Sequence, residues 1–164
     1  MSPRYDVPNA APEPLRQVQL FVNSADVEHG ADWLPDWLAE RGLGAAEEGA
    51  ARALREALRE LVLANNGFPV SPEALRIVNT AAARVRLRVE DGVHLDAPDA
   101  LDGVVATMLG AMLDGTWIRL KACRNCHWSF YDYSPNRSAT WCSMQLCGNR
   151  AKTRAYRKRR TRSG

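Results

Sequence analysis

The chain contains four cysteines, and all of them fall within its last third: Cys123, Cys126, Cys142 and Cys147. They form two close pairs with fifteen residues between the pairs. That spacing is a metal-ligand pattern. From Arg119 onward the chain has 46 residues, too few to hold a hydrophobic core unaided. Four thiolates close the tetrahedral shell of one Zn²⁺, and such a site supplies about 10 kcal/mol or more of folding free energy. The two residues between Cys123 and Cys126 permit a tight knuckle whose amides face the sulfurs and spread their charge. One structural zinc ion held by Cys123, Cys126, Cys142 and Cys147 is therefore expected.

Three rival chemistries fit less well. Cys123-x-x-Cys126-His127 matches a c-type haem attachment sequence, but that leaves Cys142 and Cys147 without a role. A redox dithiol needs a βαβ setting, which is absent. A catalytic zinc needs an open coordination position, and four cysteines close the shell.

Charge divides the chain at the same place as the cysteines. Residues 1–118 hold 10 Lys and Arg against 18 Asp and Glu, a net of −8; residues 119–164 hold 12 against the single acid Asp132, a net of +11. Two units with different jobs are implied. Apolar residues make up 46% of the 164-residue chain, enough for a buried core and unlike a disordered chain. The fold class expected is mainly α with a β-hairpin. A helical N-terminal domain over residues 15–118 precedes a Cys₄ zinc finger over 119–164 that ends in a basic helix. Residues 1–14 are polar, hold four of the nine prolines and read as a disordered arm.

Local signals place the helices. Leu15–Ser24 fits a strand through the alternation of Val18, Leu20 and Val22, and a helix through Leu15, Val18, Phe21 and Val22, with the helix favoured. Asp32 reads as an N-cap with Pro35 in the first turn, opening a helix that stops at Gly42. Residues 47–64 present Leu54, Leu58, Leu61 and Val62 on one face, and Asn65-Asn66-Gly67 ends that helix. Ser71-Pro72 caps another running to about Ala83. Val85, Leu87 and Val89 then alternate with Arg84, Arg86 and Arg88, turn at Asp91-Gly92, and are answered by Val93 and Leu95: a hairpin with a solvated arginine face. Asp99 caps the next helix, which ends at Gly115. His29 and His94 stand isolated, Trp33 and Trp37 read as core, and no nucleophile elbow, phosphate loop or catalytic carboxylate pair is visible, so no enzyme is expected.

Between the cysteine pairs, Trp128, Phe130 and Tyr131 suit a short hairpin turned at Ser134-Pro135-Asn136. They read as a mini-core, with stacking on nucleic-acid bases as the alternative. After Cys147, Gly148 permits a sharp turn and Asn149 is a good N-cap. The helix that follows is poorly made for its own stability. Its first turn is cationic, and Arg150/Arg154 and Arg154/Lys158 are like-charged neighbours. A polyanion relieves that repulsion and releases counterions.

Cys147-Gly148-Asn149-Arg150, preceded by Trp141-Cys142-Ser143 and the Cys123/Cys126 knuckle, resembles the CGNR zinc-finger family over about residues 120–160. Leu20-Phe21-Val22-Asn23-Ser24, the helix after Trp33 and the late hairpin resemble the ABATE domain. Together these resemblances imply a bacterial transcription regulator, described as stress-induced in some cases, whose finger binds one zinc and contacts DNA. On that basis Arg150 and Arg154 are the candidates for base edges. Lys152, Arg157, Lys158, Arg159 and Arg160 are the candidates for phosphates. A homodimer built by the helical domain and a small-molecule effector are the further partners expected. The alternatives are an RNA-binding protein, or an adaptor whose basic tail holds an acidic protein. No apolar run is long enough for a membrane span, and Met1–Pro14 has no hydrophobic centre for a secretory signal. A cytoplasmic, nucleoid-associated protein is expected.

Overall fold

A computed structural model describes residues 9–160, with the side chains of Arg159 and Arg160 outside the description. The elements run α1 (Arg16–Val22), β1 (Ala25–Asp26), β2 (Ala31–Asp32), α2 (Leu34–Ala39), α3 (Ala45–Ala64), α4 (Pro72–Ala82), β3 (Arg86–Val89), β4 (Val93–Asp96) and α5 (Ala100–Asp114). A 3₁₀ turn (Trp117–Arg119) leads into β5 (Leu120–Ala122) and β6 (Ser129–Tyr131), and a π-helical turn (Met144–Gly148) opens α6 (Asn149–Arg160). The three strand pairs are all antiparallel two-stranded ribbons. This is the α+β fold expected.

Two helices, α4 and α5, start at the caps read from sequence. Ser71 Oγ accepts from the Ala74 amide at 3.1 Å, and Asp99 Oδ1 accepts from the Asp102 amide at 2.9 Å. Gly115 closes α5 with φ of +79°, a conformation that favours glycine. The helix expected after Asp32 is shorter and begins later. Trp33 occupies the N-cap position of α2, and Asp32 lies in β2. The Asp32 carboxylate accepts from the Leu34 amide at 3.0 Å but is also taken up by Arg55 at 2.7 and 3.2 Å, and by Arg52. Burial opposes its charge, but these donors more than offset it and hold the carboxyl well below the usual range.

The expected hairpin is present as the β3–β4 ribbon, with Arg86 opposite Asp96, Leu87 opposite Leu95, Arg88 opposite His94 and Val89 opposite Val93. The arginine face is solvated, as read. The apolar face is largely uncovered too: Leu87, Val89 and Val93 are all exposed.

The core gathers Val18, Phe21 and Val22 of α1, Leu34 and Leu38 of α2, Leu54, Leu58 and Val62 of α3, and Val104, Val105 and Met108 of α5. Leu120, Ala122 and Tyr131 belong to the same core. Strand periodicity explains this. Leu120 and Ala122 face the helices, while Lys121 between them faces Asp132. On β6, Tyr131 faces the helices and Phe130 faces a second small core with Trp128 and the four cysteines. The β5–β6 ribbon is thus a shared wall, and the finger is built onto the helical domain.

Polar side chains of the helical domain seal this wall. Asn23 pairs with both backbone groups of Ser129, accepting from its amide at 2.7 Å and donating to its carbonyl at 2.9 Å. Asn65 Nδ2 donates to the carbonyls of Trp117 and Leu120, and Asn66 Nδ2 to those of Ala122 and Thr140. Arg59, buried on α3, donates to the carbonyls of Val22 and His127. Asn23→Ala orphans the buried Ser129 amide, since the carbonyl retains Gln19 Nε2 at 3.1 Å. We expect a loss of about 2 kcal/mol, read from denaturant midpoints.

Residues 9–14, expected to belong to a disordered arm, are held to the domain through Ala11 and Asn9. Ala11 is buried, its amide donates to Gln19 Oε1 at 2.6 Å, and the Asn9 carbonyl accepts from the Tyr131 amide at 2.8 Å. The remainder of that arm, residues 1–8, lies outside the described residues.

Candidate functional site

The knuckle between β5 and β6 carries the first cysteine pair. The Cys123 amide donates to the Trp128 carbonyl at 2.9 Å, and the His127 amide donates to the Cys123 carbonyl at 2.9 Å. His127 completes the turn with φ of +58° and takes no place among the grouped sulfurs. The hairpin therefore turns at the knuckle, not at Ser134-Pro135-Asn136 as expected. The latter segment is a second loop, held by Asp132 accepting from the Ser134 and Ala139 amides.

Cys142 follows that loop and Cys147 lies in the π-helical turn. All four sulfurs are buried and lie within 4.8 Å of one another, with Cys126–Cys142 at 3.6 Å and Cys142–Cys147 at 3.7 Å. A tetrahedral zinc with arms of about 2.3 Å has sulfur–sulfur edges of about 3.8 Å. A disulfide would bring two sulfurs to about 2.05 Å, and all four cysteines are free. The donor set thus fits one zinc ion in size and chemistry.

Crowding governs the ionisation of these sulfurs. Donors from Cys126 and Cys142 hold the Cys123 thiol far below the ordinary range, and the amides of Cys142 and Cys126 add to this. The Cys126 thiol, donating to Cys123, is pushed up to about 12, and Cys142 is pushed up further by both neighbours. Sulfurs packed this closely cannot all ionise on their own, because like charges disfavour one another. A dication makes four thiolates compatible.

The start of the basic helix differs from the sequence reading. Ser143 is the N-cap: its Oγ accepts from the Leu146 amide at 3.3 Å, and its φ of −150° is extended. Asn149 is already helical, with φ of −67° and ψ of −39°, and its Nδ2 donates to the Gln145 carbonyl. Both Ser143 and Asn149 suit a cap, and the extra residue of the π turn, closed by the Gly148 amide on the Ser143 carbonyl, decides for the earlier one. Gly148 is needed for space and not for a turn. A Cβ there would lie 2.8 Å from Met144 Sδ and 3.4 Å from Trp141 Cδ1. Met144 is exposed and can swing away. Gly148→Ala should therefore lose only about 1 kcal/mol by overpacking, and Met144→Ala in the same chain should recover it in denaturant titration.

The helix α6 places Arg150, Arg154 and Arg157 along a shallow groove of about 360 Å³ with Gln145, Asn149 and Thr153. Arg150 forms an ion pair with Glu28, from the turn between β1 and β2. Arg154 donates to Asn125 Oδ1 at 2.9 Å. Lys152, Arg157 and Lys158 are exposed. Arg159 and Arg160 belong to the helix by backbone. Trp128, Phe130 and Tyr131, the alternative base-stacking residues, are all buried and serve as core.

Sequence reasoning passed over Asn125, Glu28 and Ser143. The partners of Asn125 lie 22 and 29 residues away, and no local signal links Glu28 to Arg150. Neither histidine of the helical domain is isolated: His29 Nδ1 lies 2.9 Å from buried Asp26, and His94 Nε2 lies 3.0 Å from Asp91.

Two family models match. Residues 16–115 match ABATE, described as "Putative stress-induced transcription regulator". The chain belongs to the ABATE family. Residues 119–160 match the CGNR zinc finger, which in this ABATE protein begins at the shared ribbon. No curated protein matches the chain. Among the described residues no helix is long and apolar enough to cross a membrane.

Proposed function

We propose that this ABATE protein is a zinc-dependent, DNA-binding transcriptional regulator of the cytoplasm and nucleoid, and no enzyme. The observation that carries the reading is the seating of α6. A helix with Arg150, Lys152, Arg154, Arg157 and Lys158 and no acid rises directly from a cluster of four buried sulfurs. One zinc on Cys123, Cys126, Cys142 and Cys147 fixes its first turn. Arg150 and Arg154 address base edges, and Lys152, Arg157, Lys158, Arg159 and Arg160 address phosphates. The helical domain pairs two copies or senses a ligand. The uncovered hairpin face of Leu87, Val89 and Val93 supports the first role. A cleft of about 520 Å³ between Pro12–Leu15 and α5 supports the second.

Anisotropy titration of the zinc-loaded protein against genomic duplex fragments, with excess competitor and at two salt concentrations, tests the reading. A few fragments should survive competition. Uniform, steeply salt-dependent binding to every duplex would overturn sequence reading. Tighter binding to single-stranded RNA at matched salt would move the function to RNA, and no binding to either would leave an adaptor. Glu28 occupies Arg150 as a phosphate would. Glu28→Gln should therefore tighten duplex binding, by no more than about fivefold because the ion pair is exposed.

A further inference from the structure

One amide joins the sulfur centre to the basic helix. Asn125 Nδ2 donates to Cys147 Sγ at 3.6 Å, and Asn125 Oδ1 accepts from Arg154 at 2.9 Å. The two contacts fix each other. With the amide reversed, its NH₂ would meet the guanidinium N–H groups and its oxygen would meet the sulfur, so both contacts would turn repulsive. The residue stands inside the knuckle, yet its partners are 22 and 29 residues further along the chain. It therefore ties the first cysteine pair to the second pair and to α6 at once.

We propose that Asn125 is a positioning residue that sets the direction of Arg154 from the metal centre. It makes Arg154 a discriminating contact and not merely an attracting one. A guanidinium on a four-bond stem sweeps a wide arc and meets any phosphate. Held by one NH₁ hydrogen at a fixed acceptor, it presents its remaining N–H edge in one direction, as bidentate recognition of a base requires. The sulfur supplies the other anchor: a metal-bound thiolate accepts the Nδ2 hydrogen more strongly than a thiol does, so metal occupancy tightens the amide. The inference rests on α6 being the nucleic-acid helix, but the Asn125–Arg154 link can be measured without any nucleic acid.

The test compares Asn125→Ala, Asn125→Asp and Arg154→Ala in the full chain. NMR of protein loaded with an NMR-active cadmium isotope should show coupling between the metal and the Asn125 side-chain amide protons, and a slowly exchanging Arg154 Nη1–H, the donor to Asn125 Oδ1. Asn125→Asp keeps the acceptor for Arg154 and loses the donor to sulfur, so Arg154 stays protected while the metal coupling disappears. Asn125→Ala should lose both signals. An Arg154 signal that survives Asn125→Ala overturns the proposal. In duplex binding, Asn125→Ala and Arg154→Ala should each reduce discrimination at the same base pair by about tenfold. The double variant should lose no more than either, and the salt dependence in Asn125→Ala should stay unchanged. Additive losses, or full discrimination by Asn125→Ala, also overturn it. If the unaltered protein discriminates between no duplexes, the reading of function falls, while the Arg154 resonance still decides the link.

Discussion

Removing the metal should unfold the helical domain along with the finger. The site on Cys123, Cys126, Cys142 and Cys147 contributes about 10 kcal/mol or more when loaded, comparable with the whole stability of about 5–15 kcal/mol that a domain possesses. A finger carried as a separate bead would take that loss alone. Here Leu120, Ala122 and Tyr131 complete the helical core, and Asn23, Asn65, Asn66 and Arg59 spend their hydrogen bonds on finger backbone. When the knuckle loosens, those buried groups lose partners, and the core opens along α3. For a chain of this size each kcal/mol shifts the melting midpoint by about 2–4 °C. The chelated protein should therefore melt at least about 20 °C lower or without a cooperative transition, and zinc should restore it. With the finger's Trp128 and Trp141 replaced by Phe, near-ultraviolet circular dichroism follows the packing of Trp37 and Trp117, both buried in the helical core. An unchanged Trp signal after chelation would show that the domains are independent. Cys126→Ser should behave as the chelated protein does.

How much of this architecture is legible in sequence depends on the range of the signal. The cysteine spacing, the caps at Ser71 and Asp99 and the Asp91-Gly92 hairpin are local, and the structure keeps each of them. The joining of the two units is not local. Asn65-Asn66-Gly67 reads correctly as a helix stop, with Gly67 at φ of +90°. Nothing in those residues announces that both amides reach past residue 116. The change of net charge at residue 118 also suggested a looser boundary than the packing allows. Charge patterning reports what the surfaces of two units face, and it carries no information about the apolar ribbon between them. The helix cap failed for a different reason. Two good capping residues stand six positions apart, and the π turn that chooses between them is imposed by Cys147 joining the sulfur cluster. Asn125 was hidden in the same way, because its two partners meet only after the finger has closed.

The second large effect concerns the buried pair Lys121–Asp132. Lys121 Nζ donates to Asp132 Oδ2 at 2.7 Å and to the Ala139 carbonyl at 3.1 Å, and both side chains are almost wholly buried. Asp132 in turn accepts from the Ser134 amide at 2.9 Å and the Ala139 amide at 3.0 Å, which shapes the loop leading to Cys142. Lys121→Met keeps the stem and deletes the charge, leaving a buried carboxylate without its cation. Such a break should lose about 3–5 kcal/mol at neutral pH. The pH dependence gives the sign. Burial raises the Asp132 carboxyl, but the Lys121 ammonium and Ser134 more than offset this, and it titrates below its ordinary range. A depressed folded pKa contributes stability that is complete above the unfolded value near 3.9 and is lost as pH falls through the folded value. Without Lys121 the burial effect dominates and the folded pKa rises. Protonation then relieves the variant at a pH where the unaltered protein is still fully charged. The stability difference between the two proteins should therefore be largest near pH 8 and shrink steadily toward about pH 6, above the range in which protonation of the thiolates releases the metal, in denaturant titrations of zinc-loaded protein. A difference that stays constant across that range would mean that the Lys121 stem, and not its charge, holds the loop in front of Cys142.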